Sequence, residues 1–180
     1  PNASKLLHYV AQDLKLISFE QLDVKYNRPD LVLKQIGISD TLLINSYRNA
    51  YYKRIRKLGI DTSSFRDGFG VPEADFANRK KINPKQTNKI LSLLIKGIDR
   101  SYKLDRYNVW VNEVPVFGQR GISIRKNNSN RIDKTIDIIL SEGKNQIETS
   151  ITNVNGTESY RMPLIVNYNP GVKQKENIYF

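Results

Sequence analysis

From Asn88 onward, apolar residues recur at alternate positions in short runs broken by turn residues, and this pattern leaves few folds open. A period of two sends successive side chains to opposite faces of a strand, so each run reads as a half-buried strand. Ile90 to Ile98 is the densest run. Tyr107-Asn108-Val109-Trp110-Val111, the pair Asn112-Glu113 and then Val114-Pro115-Val116-Phe117 read as a tight hairpin, with Pro115 on an edge or bulge. Ile132, Ile136, Ile138 and Leu140 partly alternate with Asp133 and Asp137, and Ser141 to Asn145 is a turn. Ile147 and Ile151 lead to the turn dipeptide Asn155-Gly156, and Leu164, Val166 and Tyr168 close the series. About seven such strands, with turns roughly every 8–12 residues, predict an antiparallel β-sandwich of immunoglobulin or fibronectin type over residues 88–172. Val109, Trp110, Val111, Ile138, Ile147, Ile151 and Val166 are its expected core. No strand–helix–strand alternation occurs, which disfavours a dinucleotide-binding or barrel enzyme architecture.

Residues 1–87 follow a different period. Asn27-Arg28-Pro29-Asp30 ahead of Leu31-Val32-Leu33 reads as a helix start, with Asn27 as its cap and Gly37 as its stop. A longer helix is expected from Ser39 or Asp40 to Leu58, stopped by Gly59. Leu43, Tyr47, Tyr51, Ile55 and Leu58 form its apolar stripe and are expected to dock it, while Lys53, Arg56 and Lys57 fall on the other side. Turn residues crowd 61–87, which reads as a junction. The predicted class is therefore α+β, a helical segment followed by the sandwich.

Residue chemistry narrows the function. The chain has no cysteine and one histidine, His8, which excludes disulfides, thiol nucleophiles and thiolate metal sites. His8 has no acid or hydroxyl partner at a telling spacing. Asp133 and Asp137, four apart on a strand, would lie ~13 Å from one another, beyond the ~5–9.5 Å of paired catalytic carboxylates. They read as a wet face. Asp67-Gly68-Phe69-Gly70 has the wrong order for a magnesium-holding motif and reads as a turn. No catalytic, metal or cofactor residue is assigned. The triplets at Asn2, Asn127 and Asn155 match the glycosylation pattern, a weak signal in an Asn-rich chain.

The net charge of +11 invites a nucleic-acid reading, but the excess is shared almost evenly between residues 1–86 (+6) and 87–180 (+5). A polyanion binder concentrates its charge on one face, so nucleic acid is disfavoured. The basic helix segment with Tyr47, Arg48, Tyr51, Tyr52, Lys53 and Arg54 could stack bases, yet its tyrosines fall mostly on the stripe expected to be core. The residues nominated for a partner surface are Arg120, Arg125 and Lys126 beyond the hairpin, with Lys53, Arg56 and Lys57 of the long helix. No apolar run approaches the ~20 residues of a spanning helix, so no membrane partner is expected. The start, Pro1-Asn2-Ala3-Ser4, has no leader layout and reads as part of a longer protein, for which the cytoplasm is the expected setting.

The chain resembles the segment between a WD-repeat propeller and a caspase-like peptidase domain in bacterial multidomain proteins. Carrying the resemblance are Phe19-Glu20-Gln21-Leu22-Asp23, NRPDLVL at 27–33, AYYKRIRKLGI at 50–60, DRYNVWVNEVPVFGQRGISIR at 105–125 and EGKNQIETSITNVNGTESYRMPLIVNY at 142–168. Residues 173–180 then read as a linker or as the first strand of the peptidase domain; alternatively, Glu176 to Phe180 is a purification-tag remnant. In such proteins the catalytic His and Cys lie downstream, and no position here matches them. The resemblance implies a non-catalytic connecting and protein-interaction role, with other domains of the same protein as partners. The alternative is a carbohydrate- or ligand-binding sandwich, for which an exposed aromatic platform at Trp110 would be the sign.

Overall fold

The computed structural model describes residues 8–10, 16–68 and 70–171. The opening Pro1-Asn2-Ala3-Ser4 with its glycosylation triplet, Phe69 and the closing segment 173–180 lie outside the described residues. A short antiparallel pair, β1 (His8–Val10) and β2 (Leu16–Ser18), leads into α1 (Phe19–Tyr26), α2 (Pro29–Gln35) and α3 (Thr41–Leu58). The strands that follow, with short 3-10 turns among them, are β3 (Glu73–Phe76), β4 (Lys85–Gln86), β5 (Ile90–Ile98), β6 (Leu104–Val111), β7 (Val114–Pro115), β8 (Ile122–Ser123), β9 (Arg131–Ile139), β10 (Gly143–Asn153) and β11 (Met162–Tyr168).

These strands form two sheets, one ordered β3-β5-β9 and one ordered β4-β11-β10-β6-β7, with β8 also on β6. All pairs are antiparallel except β4 with β11. One apolar core draws on both sheets: Phe76, Leu93 and Ile95 from the first, Val109, Ile147, Ile151 and Val166 from the second. Among the described residues the result is a β-sandwich with three α-helices. Alternation sets which residues enter: Leu91, Leu93, Ile95 and Gly97 of β5 face inward, while Ser92 and Lys96 face water. Gly97 is required by close approach, because a Cβ there would sit 1.8 Å from Ile151 Cδ1. The expected hairpin forms, with Asn112 and Glu113 at φ +50° and +68°, the left-handed pair that suits a two-residue turn. Pro115 lies on the edge strand β7, where its missing N–H costs no ladder bond.

Two expectations for the core need correction. Trp110 is buried but outside the main core, because it alternates with Val109 and Val111 and so faces the outside of its sheet. Val111 is only partly buried, packed at the core's margin. The stretch 61–87, read as a junction, supplies β3 and β4 to the sandwich, so the first sandwich strand starts at Glu73, ahead of residue 88.

In the helical part, the acceptor of the long helix's first turn is Asp40, whose Oδ1 takes the Leu43 N–H at 2.9 Å. Gly59, at φ +65°, ends α3 in the left-handed conformation that a Cβ would oppose. Asn27 does not cap α2. Arg28 holds that position, because α1 runs to Tyr26 and leaves Asn27 as its closing residue, bonded to Asp23. The apolar stripe of α3 is also only half used. Ile44, Tyr51 and Ile55 are buried, but Leu43 and Tyr47 stay exposed. The polar ties that reach α3 from α1 and the sandwich land at its C-terminal half: Tyr51 Oη donates to the Val24 carbonyl, Arg54 to Asp23, and sandwich arginines to Lys57, Leu58 and Gly59. The N-terminal half is packed on α2 and buries Ile44.

Candidate functional site

Of the six cations nominated for a partner surface, two hold the molecule together. Arg120 Nε donates to the Lys57 carbonyl at 2.7 Å. Arg106 joins it, donating to the carbonyls of Leu58 and Gly59 at 2.5 and 2.9 Å. A helix leaves its last carbonyls unpaired and carries partial negative charge there, so two guanidinium groups are well matched to that end. Arg125 bridges Asp105 and Asp61, at 2.9 Å to each. The hydrogen bonds from Ser63 and Arg125 hold the Asp61 carboxyl below the usual range. Lys53, Arg56, Lys57 and Lys126 are exposed, and the Arg120–Lys57 tie brings the two nominated groups side by side.

Further ties fix the helices to the loop between β10 and β11. The Glu158 N–H donates to the Gln21 carbonyl at 2.8 Å, and Gln21 Nε2 returns a bond to the Glu158 carbonyl at 3.3 Å. Asn155 Oδ1 accepts the Arg66 N–H at 2.6 Å, and a Cβ on Gly156 would strike the Phe65 ring at 2.6 Å. Asn155 is thus buried and bonded, so its triplet offers no side chain to a sugar, whereas Asn127 is exposed.

Around these ties sits a concavity of about 430 Å³ that the sequence reading did not assign. Its walls come from the end of α1 (Lys25, Tyr26), the start of α2 (Arg28, Leu31, Val32), the middle of α3 (Tyr51, Tyr52) and the turn at Thr62 and Phe65. Asp30, 1% exposed, anchors the geometry: it accepts two bonds from Arg28 at 2.9 and 2.7 Å and lies 3.7 Å from Arg48. The Arg28 hydrogen bond holds the Asp30 carboxyl below the usual carboxylate range, and the same bond raises Arg28. Arg28 is thereby pinned over the Tyr51 ring, 4.4 Å from its centroid. Burial raises the Tyr51 phenol. Lys25 reaches the carbonyls of Arg66 and Gly68, and burial lowers its ammonium. Burial and Asp67 raise Tyr26. The signals in the sequence were NRPD at 27–30 and the tyrosine cluster of α3, where Tyr51 is buried as expected but Tyr47 and Tyr52 are exposed.

Trp110 is 8% exposed, with the Arg161 guanidinium 4.0 Å from its ring centroid, so that face offers no open aromatic platform. Asp133 and Asp137 are exposed on β9, the wet face expected, and Asp137 bonds Ser92. His8 is exposed on β1. Among the described residues no group of three or more His, Cys, Asp or Glu is placed to hold a metal ion. No described helix is long and apolar enough to cross a membrane.

No family model and no curated protein matches this chain. Among solved structures, the fibronectin(III)-like modules of Clostridium thermocellum CbhA are similar at 11% sequence identity and a TM-score of 0.43, over 62% of this chain and 54% of that one. The chain thus spans about half the length of that structure.

Proposed function

We propose that this chain is a non-catalytic connecting and protein-interaction domain, in which a fibronectin-like sandwich carries a helical contact element. The antiparallel order of the longer strands, three in one sheet and β11-β10-β6 in the other, supports the fibronectin-like reading. The setting proposed from the resemblance lies between a propeller and a caspase-like peptidase domain, and the partners are those neighbouring domains. One observation carries the contact role. The end of α2, the turn after it and the start of α3 expose Ile36 (66%), Leu42 (79%), Ile38, Leu43 and Tyr47 within one short stretch. Scattered exposed apolar residues need no explanation, but a cluster in one such stretch favours a covering partner.

Hydrogen exchange on the isolated chain and on the full-length protein tests this reading. Slower exchange of the α2–α3 amides in the full-length protein, abolished by Leu42→Glu, is the expected result. Equal exchange in both would overturn it.

A further inference from the structure

We infer that the concavity between α1, α2, α3 and the Thr62–Phe65 turn is a receptor for an acidic peptide segment bearing one bulky apolar side chain. The inference rests on the helical part being a contact element and adds the chemistry of what it holds.

At about 430 Å³ the concavity falls within the range of ligand pockets, and much of its lining is apolar or aromatic: Leu31, Val32, Tyr51, Tyr52 and Phe65. Tyrosine and arginine are the side chains that most often dominate binding energy, and here Tyr26, Tyr51, Tyr52 and Arg28 meet in one place. Preorganisation is also built in. Asp30 and Tyr51 fix Arg28 from two sides, so a partner need not order that long side chain.

Charge then selects the partner. The residues lining the concavity include Lys25 and Arg28 and no acid. α3 contributes Arg48, Lys53, Arg54, Arg56 and Lys57 and no acid along its length. Of the nearby acids, Asp30 is paired with Arg28 and Asp23 with Arg54, while Asp67 is exposed and its charge acts on Lys25 and Tyr26. Arg56 and Lys53 stand exposed within one turn of Tyr52. A basic segment would be repelled here, an uncharged one would gain nothing from the rim, and an acidic one is drawn in and anchored.

The test is fluorescence anisotropy with a labelled peptide of one Phe flanked by Glu residues. Matched peptides carry Lys in place of Glu, or Ala in place of Phe. The Glu/Phe peptide is expected to bind at least about tenfold more tightly than either, with affinity falling as salt rises. Tyr52→Ala and Val32→Glu alter exposed side chains, so both variants should keep the helical circular dichroism and weaken binding about tenfold. Arg56→Glu should weaken it with the fold untouched. Equal affinity for the Lys peptide, indifference to the Phe, or full binding by Tyr52→Ala would overturn the assignment. So would single-stranded RNA or phosphatidylserine vesicles displacing the peptide through Tyr52 and Arg56 at lower concentration. Failure here with protected α2–α3 amides in the full-length protein removes only the peptide receptor. Binding without that protection removes only the connecting role.

Discussion

The sandwich and the helical part of this chain are held together by different physics. In the sandwich, seventeen buried apolar side chains among the described residues form one continuous core, and both sheets close on it. The helical part buries Ile17, Leu22, Ile44, Tyr51 and Ile55 outside that core and relies on polar ties: arginines on the end of α3, Asp30 beneath Arg28, Gln21 against Glu158. Burial scales with area and is non-directional, so it welds the sandwich as a unit. Polar ties each contribute about 1 kcal/mol net and depend on geometry, so they position helices without making them equally stable. A region held this way opens locally at lower cost and keeps its apolar surface available.

Core truncations give the largest expected effects and the sharpest contrast. Ile151→Ala should destabilise the sandwich by about 2–5 kcal/mol, seen as a lowered urea midpoint for its unfolding. Gly97→Ala overpacks the same spot and should cost about 1–3 kcal/mol. Combined with Ile151→Ala its cost should shrink, because the two changes share one volume. Ile55→Ala removes a similar side chain from the helical part and should strip exchange protection from α3 amides while β5 and β10 keep theirs. If Ile55→Ala unfolds the sandwich too, the two regions are one cooperative unit and the comparison fails.

A pH titration separates the regions more gently. Asp30 has a lowered pKa in the folded chain, through its bonds with Arg28. Its contribution is therefore complete above the ordinary carboxylate value of about 4 and is lost as pH falls through the lowered folded value. Asp30→Asn should cost the α2–α3 hairpin about 2 kcal/mol near neutrality. The variant should also flatten the acid loss of the far-ultraviolet helix signal. An unchanged acid profile in Asp30→Asn would place the helical part's pH response elsewhere.

The same physical difference sets what could be read from the sequence. Strand alternation reports burial directly, because a sheet face is either in the core or in water: Ile132 and Ile138 against Asp133 and Asp137 were legible, as was the Asn112-Glu113 turn. β3 was missed although Glu73-Ala74-Asp75-Phe76 alternates, since four residues among turn signals give too short a pattern. Helical periodicity says which residues share a face but not whether anything covers it. Leu43 and Tyr47 therefore looked like core beside Tyr51 and Ile55. Arginines carry the same ambiguity. Arg120 and Arg125 are charged in any setting, and only the fold shows them bound to Lys57, Asp105 and Asp61. The concavity escaped because its walls come from four separate segments.

The smallest effect on monomer stability, and the one that bears most on how the sandwich meets other chains, is expected at Lys134. β9 is a nine-residue strand at the edge of its sheet, paired on one side with β5. Lys134 stands opposite Ile95 in register, at a position whose parity matches the inward-facing Ile132, Ile136 and Ile138. Lys134 nevertheless reaches water, and such a charge on an edge strand opposes pairing with a second sheet, because joining would strip that water. Two copies of β9 aligned antiparallel about residue 134 would set Arg131 against the partner's Asp137 twice, which favours association, and Lys134 against itself, which opposes it. Lys134→Val removes only the opposing member. Monomer stability should change by no more than about 0.5 kcal/mol, while sedimentation velocity should show concentration-dependent dimers that Asp137→Arg disrupts. A variant that stays monomeric at every concentration would show that strand twist or neighbouring loops guard this edge and that Lys134 does not.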